Sequence, residues 1–281
     1  MAIGVRLARP EFMRTWVLLS FLLAKSLPGA GVELVRGPPQ AVFGGGLRAV
    51  EGFFRNPNDT NVQLSLEIQL LQASSATAAA WSEPRPWRML VLAPTQTCVE
   101  RPVIEFPSVP AETPFLVRFV TGRRVVGLVP VTVFPGGLLT NLGATTKSVA
   151  LSSVDPELQL VLVEAGFSVE DSSLSSPHSS DRPLAIYGPL FPESATASGI
   201  TEAVSRAKTG GAVVLILPDE DERMVTAPSF YPVAIERGTL VLVRAGTLVH
   251  IMTDPLAQRR LIRILRLALG QERLESPRPH L

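Results

Sequence analysis

The hydrophobic period of the chain changes once, at Pro135-Gly136-Gly137, and that change limits what the chain can fold into. Upstream, apolar residues recur at every second position. Val62, Leu64, Leu66, Ile68 and Leu70 alternate with Gln63, Ser65, Glu67 and Gln69. Such alternation predicts a strand with one buried and one solvated face. Phe115, Val117 and Phe119 repeat the pattern. Downstream, short apolar runs alternate with stretches of helical spacing. A chain of 281 residues with two such regimes predicts two domains, 31–135 and 138–270. A segment 1–30 precedes them and a polar tail 271–281 follows.

Residues 31 to 134 read as β-structure. Leu47 to Phe54 is an apolar-rich run interrupted by Arg48 and Glu51, and Asn56-Pro57-Asn58-Asp59 predicts a turn. Ser74 to Ala80 reads as a small-residue loop. Met89 to Leu92, Cys98 to Phe106 and Val125 to Phe134 supply further strands, with Pro130 marking an edge or bend. Short strands at regular spacing with Pro/Gly turns predict a sandwich. The region resembles an immunoglobulin-like or fibronectin-like module, without the Cys–Trp–Cys core of antibody domains.

Beyond Gly137, Ser148 to Leu151, Phe167 to Glu170, Leu184 to Tyr187, Ala212 to Leu217 and Leu240 to Val243 read as short strands. Asp155-Pro156 and Asp254-Pro255 give an N-cap followed by a first-turn proline. Leu158, Val161, Leu162 and Ala165 form a helical stripe that Gly166 ends. A second helix spans Ile200 to Lys208, and a third runs from Asp254 to about Leu269. The continuous apolar run Ala212 to Leu217 suits a strand buried on both faces. Strand–helix alternation predicts a doubly wound parallel sheet.

A helix ending in Gly210-Gly211 before an apolar strand, with a preceding strand ending at Gly188-Pro189, resembles the class I glutamine amidotransferase-like domains. The likeness covers about 138 to 270. It implies an α/β flavodoxin-like, amidotransferase-like parallel sheet with flanking helices. It also implies a cysteine on a tight strand-to-helix turn and a downstream histidine. The turns after Tyr187 and Leu217 hold Gly188-Pro189 and Pro218-Asp219, with no thiol or hydroxyl. The single cysteine, Cys98, lies in the other domain on an expected strand, where it reads as a small core residue. The family's nucleophile therefore has no counterpart here. His250 falls where a base would lie, without a nucleophile to serve.

Composition narrows the function classes. A net charge of +1 argues against a nucleic-acid surface. One cysteine excludes an intramolecular disulfide and a cysteine-rich metal site. His178, His250 and His280 are too widely spaced for a helical zinc motif. No cofactor is implied. Arg6, Arg9 and Arg14 precede the apolar run Trp16 to Ala24, and small residues lead to Ala30. This is the pattern of a signal peptide, and the run is shorter than the roughly 20 residues that span a bilayer. The expectation is an exported protein, periplasmic or extracellular, with an uncleaved N-terminal anchor as the alternative.

Asp219, Glu220, Asp221 and Glu222 follow the most apolar strand, at the end where open α/β sheets bind ligands. With His250 they are the candidate ligand or metal residues of a carboxylate-dependent hydrolase. A solvated acidic loop accounts for the same residues. Ser172 to Ser180 lacks a Gly-x-Ser-x-Gly elbow and reads as a linker-like loop, and Gly44-Gly45-Gly46 reads as a turn. Arg259, Arg260, Arg263 and Arg266 lie along the last helix and are the candidate partner-binding residues, for a protein or a membrane surface. Trp81 and Trp87 would be the stacking residues of a carbohydrate-binding or sensor module. Asn58-Asp59-Thr60 matches a glycosylation acceptor. The leading expectation is an exported, non-catalytic binding or assembly protein with a protein partner in the cell envelope.

Overall fold

The computed structural model describes residues 31–140, 148–171, 184–189, 196–219 and 230–272. Strands in several sheets dominate the described residues. The chain divides into two compact units, one up to Pro135 and one from Gly136.

In the first unit, β1 (Glu33–Val35), β4 (Gly52–Arg55) and β8 (Thr97–Glu100) form one sheet, in the order β1-β4-β8. The other has β2 (Gln40–Phe43), β11 (Arg124–Phe134), β10 (Thr113–Thr121) and β5 (Val62–Ala73) in that order. Along its free side β5 pairs first with β7 (Arg85–Leu92) and then with β6 (Ala78–Ala80). A short ladder joins β3 (Gly46–Ala49) to β9 (Val103–Phe106). Most pairs are antiparallel, but β2 runs parallel to β11. That pairing starts at Val131, one residue after Pro130, so the missing N–H of the proline falls where β2 has not yet begun.

Residues from both sheets share one apolar core. Phe54 of β4 meets Phe119 of β10 edge to face, with centroids 5.1 Å apart. Phe106 of β9 meets Phe115 of β10 in the same way at 6.2 Å. Gly127 allows Leu34 of β1 to lie against the backbone of β11, because a Cβ there would overlap that side chain. At the open edge, the Arg88 guanidinium of β7 pairs with the Glu100 carboxylate of β8, tying one sheet to the other.

The second unit holds one sheet in the order β13-β12-β14-β15-β17-β16. Its strands are β12 (Ser148–Ser152), β13 (Ser168–Asp171), β14 (Leu184–Tyr187), β15 (Ala212–Leu217), β16 (Phe230–Ile235) and β17 (Gly238–Arg244). Among the described residues three helices follow strands: α1 (Pro156–Glu164), α2 (Thr196–Lys208) and α3 (Pro255–Ala268). Asp155 accepts the Glu157 N–H at 2.7 Å and Asp254 accepts the Leu256 N–H at 2.8 Å, capping α1 and α3 as their sequences predict. Gly166 has φ +89°, the left-handed turn that ends α1.

Alternate residues of the central strands enter opposite cores. Leu184, Ile186, Val214 and Ile216 pack with Leu162 of α1 and Leu261, Ile264 and Leu265 of α3. Ala185, Tyr187, Val213 and Leu215 pack with Ala203 and Ala207 of α2. Tyr187 is fully buried, and its hydroxyl donates to the Glu202 carboxylate at 3.1 Å. Burial, then the Glu202 charge, raise its pKa, with Arg206 opposing, so the phenol stays protonated at neutral pH.

Several expectations change. Ser74 to Ala80 is not all loop, because Ala78–Ala80 pairs with β5. Helix α2 begins at Thr196, before Ile200. The sheet is not wholly parallel: β16 is an antiparallel edge strand joined to β17 by a tight hairpin. Its sequence, interrupted by Pro232 and half exposed, carries no clean period.

The predicted turn at Asn56 proves to be a buried polar junction. Asn56 is fully buried, and its Nδ2 donates to the carbonyls of Thr60 at 2.8 Å, Ala93 at 2.9 Å and Leu92 at 3.3 Å. Its Oδ1 accepts the Asn58 N–H at 3.0 Å. Asn56→Ala leaves buried carbonyls unpaired and is expected to cost about 2–4 kcal/mol. Urea unfolding read against the native chain measures it.

Candidate functional site

In a sheet of this connectivity, the strand order reverses between the parallel neighbours β12 and β14. The segment after β12 leads through α1 to β13 on one side, and the segment after β14 leads through α2 to β15 on the other. Ligands of open α/β sheets bind in the crevice outside the carboxyl ends of the strands at such a reversal. Here the crevice is bordered by Ser152-Ser153-Val154 and by Gly188-Pro189. The Gly188 N–H donates to the Ser152 carbonyl at 3.0 Å, extending the β12–β14 ladder into the turn.

Ser153 is the residue that sequence reasoning passed over. It is exposed, sits between a strand and a capped helix, and has φ +55°. Left-handed backbone costs a non-glycine residue roughly 1–2 kcal/mol. No motif announces it: the run Ser-Ser-Val-Asp-Pro reads only as an N-cap. A Ser153→Gly chain is expected to be as stable as the native one or up to about 1 kcal/mol more so, measured by thermal unfolding.

The carboxylate expected at the next strand end is in place. Asp219 lies two residues past β15 and is exposed. Its carboxylate rests against Gly246 in the 3-10 turn Ala245–Leu248, where a Cβ would overlap it. The loops after β15 and β17 thus meet at the carboxyl edge, one step along the ladder from the Leu217–Arg244 pair. Glu220, Asp221 and Glu222 lie outside the described residues, as does the serine-rich stretch 172–180. His250 is exposed and has φ +58°. Its carbonyl accepts the N–H groups of Thr253 at 2.9 Å and Asp254 at 2.8 Å, so it turns the chain into α3. Among the described residues no hydrogen bond or ion pair joins His250 to Asp219, and no cluster of His, Cys, Asp or Glu is able to hold a metal.

The other candidates separate. Trp87 packs on Phe119 at 6.0 Å and carries the Arg88 guanidinium over its ring at 5.7 Å, so it serves the core. Trp81 keeps an exposed ring set edge-on to Phe115 at 6.1 Å. The sequon Asn58-Asp59-Thr60 is exposed in the turn that Asn56 organises. Helix α3 exposes Arg259, Arg260, Arg263 and Arg266, and it buries Leu261, Ile264, Leu265 and Ala268. Among the described residues no helix is long and apolar enough to cross a membrane.

Cys98 lies half-buried on β8 against the first unit's core, with its Sγ 4.0 Å from the Glu100 carboxylate. Burial pushes the thiol up, the Glu100 charge adds to this, and Arg88 opposes it. The neutral thiol is therefore the form the fold favours. Its contribution to stability is present below the unfolded pKa and fades as pH rises through the folded one. Alkylation by iodoacetamide at pH 8 is expected to lag free cysteine, and Glu100→Gln to speed it, since burial alone then opposes Arg88. Mass spectrometry over time reads both.

No protein-family model and no curated protein matches the chain. Solved structures give faint likenesses. An alkylpurine DNA glycosylase from Pseudomonas fluorescens, bound to DNA containing an abasic site analog, is similar at 11% identity and TM-score 0.29. The match covers 38% of this chain and 31% of that one. A β-glucosidase from Listeria innocua in complex with glucose aligns at 15% identity and TM-score 0.28, over 37% of this chain and 16% of that one. A β-glucosidase from Bifidobacterium adolescentis gives 15% identity and TM-score 0.25 over the same shares.

Proposed function

We propose that the chain is an exported, non-catalytic binding or assembly protein of the cell envelope. In this reading an immunoglobulin-like sandwich precedes a flavodoxin-like α/β domain of amidotransferase-like ancestry that has lost its nucleophile. The strand neighbours of the first unit, with β2 parallel to β11 and the remaining ladders antiparallel, suit an immunoglobulin-like arrangement. The order β13-β12-β14-β15 suits the flavodoxin-like 2-1-3-4 pattern, extended by a terminal hairpin.

One observation carries the reading. The turns after β14 and β15, where an activated thiol would sit, hold Gly188-Pro189 and Pro218-Asp219. Nucleophilic catalysis needs a side chain at that turn and a base within hydrogen-bond reach. Ser153 occupies a different turn, and no hydrogen bond joins it to a histidine or carboxylate among the described residues. A protein partner, not a substrate, then accounts for keeping both units.

The purified chain is expected to turn over no glutamine, ester or glycoside substrate, and a fluorophosphonate probe to leave Ser153 unlabelled. Labelling or turnover that disappears in Ser153→Ala would sink the proposal. A metal-dependent activity lost in Asp219→Ala, with the fold intact, would replace it with the carboxylate-dependent enzyme. Fusion of residues 1–30 to a reporter that matures only outside the cytoplasm tests export separately.

A further inference from the structure

Every exposed position of helix α3, from Pro255 to Ala268, is an arginine: Arg259, Arg260, Arg263 and Arg266. No acidic residue lies within the helix. General composition does not explain this. From residue 136 onward the sequence has 13 Lys and Arg against 16 Asp and Glu. The basic face is thus set into a region that is acidic overall.

The placement also works against the helix. Arg259 and Arg263, Arg260 and Arg263, and Arg263 and Arg266 stand three or four residues apart, where like charges repel. A face that served only as a solvated surface would gain from glutamates at these spacings. Part of the strain is relieved locally. Arg263 pairs with Glu272 at 3.3 Å and lies over the Phe230 ring at 5.6 Å. Arg259, Arg263 and Arg266, at i, i+4 and i+7, share one stripe, and Arg260 widens it. Beneath it, Leu261, Ile264 and Leu265 are packed into the sheet, so the helix offers charge alone and no apolar wedge.

We propose that this face docks α3 on an anionic phospholipid surface. The partner it needs is broad, flat and negative, because among the described residues the stripe presents no pocket and no hydrophobic anchor. The sequence itself points towards a bilayer, through the apolar run Trp16 to Ala24 flanked by Arg14 and Lys25. The inference rests on the envelope reading and specifies one contact within it. A failure to bind lipid leaves the non-catalytic reading standing, and the discovery of an activity leaves the lipid contact standing.

The test is co-sedimentation of the full chain with vesicles of pure phosphatidylcholine and with vesicles containing phosphatidylglycerol. The neutral vesicles report whatever residues 1–30 contribute. Each arginine near an anionic surface is worth about fivefold in partitioning. Arg259→Gln, Arg260→Gln and Arg266→Gln together are expected to lower binding to the anionic vesicles by up to roughly a hundredfold, with neutral vesicles unaffected. Arg263 is kept for its contacts with Glu272 and Phe230. Binding is expected to fall as salt rises, and the same three positions changed to lysine to retain it. Equal partitioning to both vesicles, or an unchanged triple variant, overturns the proposal. So does loss in the lysine variant as deep as in the glutamine one, which marks bidentate recognition of a protein carboxylate. Retention on immobilised polyglutamate without vesicle binding overturns it in favour of an acidic protein partner.

Discussion

Burial of the central strands on both faces is the constraint on which the second unit depends. A strand covered above and below has no solvated side, so each of its residues must find an apolar neighbour. Leu184-Ala185-Ile186-Tyr187 and Val213-Val214-Leu215-Ile216 meet that demand by alternation: Leu184, Ile186, Val214 and Ile216 face α1 and α3, and Ala185, Tyr187, Val213 and Leu215 face α2. The alanines on α2 and on β12 and β14 allow that helix to lie close. The one polar tip admitted there, the Tyr187 hydroxyl, is met by Glu202. Once these strands are covered, only their ends remain open, so a ligand reaches the sheet itself through the turns that leave it.

The first unit solves a different problem. Its aromatic core, centred on Phe54, Phe106, Phe115 and Phe119, is shared between its sheets. Directional bonds at the rim hold the sheets in register. Asn56 gathers carbonyls from two loops, and Arg88 with Glu100 bridges the open side. Cys98 sits beside that bridge; burial raises its thiol pKa, and the charges that join the sheets act on it in opposite directions.

Much of this architecture was legible because period and capping are local signals. The alternation from Val62 to Leu70, the Asp-Pro starts of two helices and the continuous run at Ala212 depend on neighbours in the chain. What escaped the sequence depends on neighbours in space. Strand β16 has no clean period because half of it faces solvent and a proline divides it. The triplet Ala78–Ala80 is a strand only because β5 has an unpaired end to offer. The backbone of Ser153 is held left-handed by the turn between β12 and α1, and serine itself has no preference that would reveal it. Of the acidic run, Asp219 is described and is engaged with the turn after β17, which spacing alone did not suggest.

The two outer strands of the second unit's sheet differ in how they end it. Pro232 lies at the middle of β16 and has no N–H to offer a further strand. At the far side β13 carries the exposed Glu170 near its end, where an added strand would have to bury charge. Among the described residues, each limit of the ladder thus carries a residue that disfavours a further strand. A sheet bounded in this way has little means of propagating from one molecule to the next.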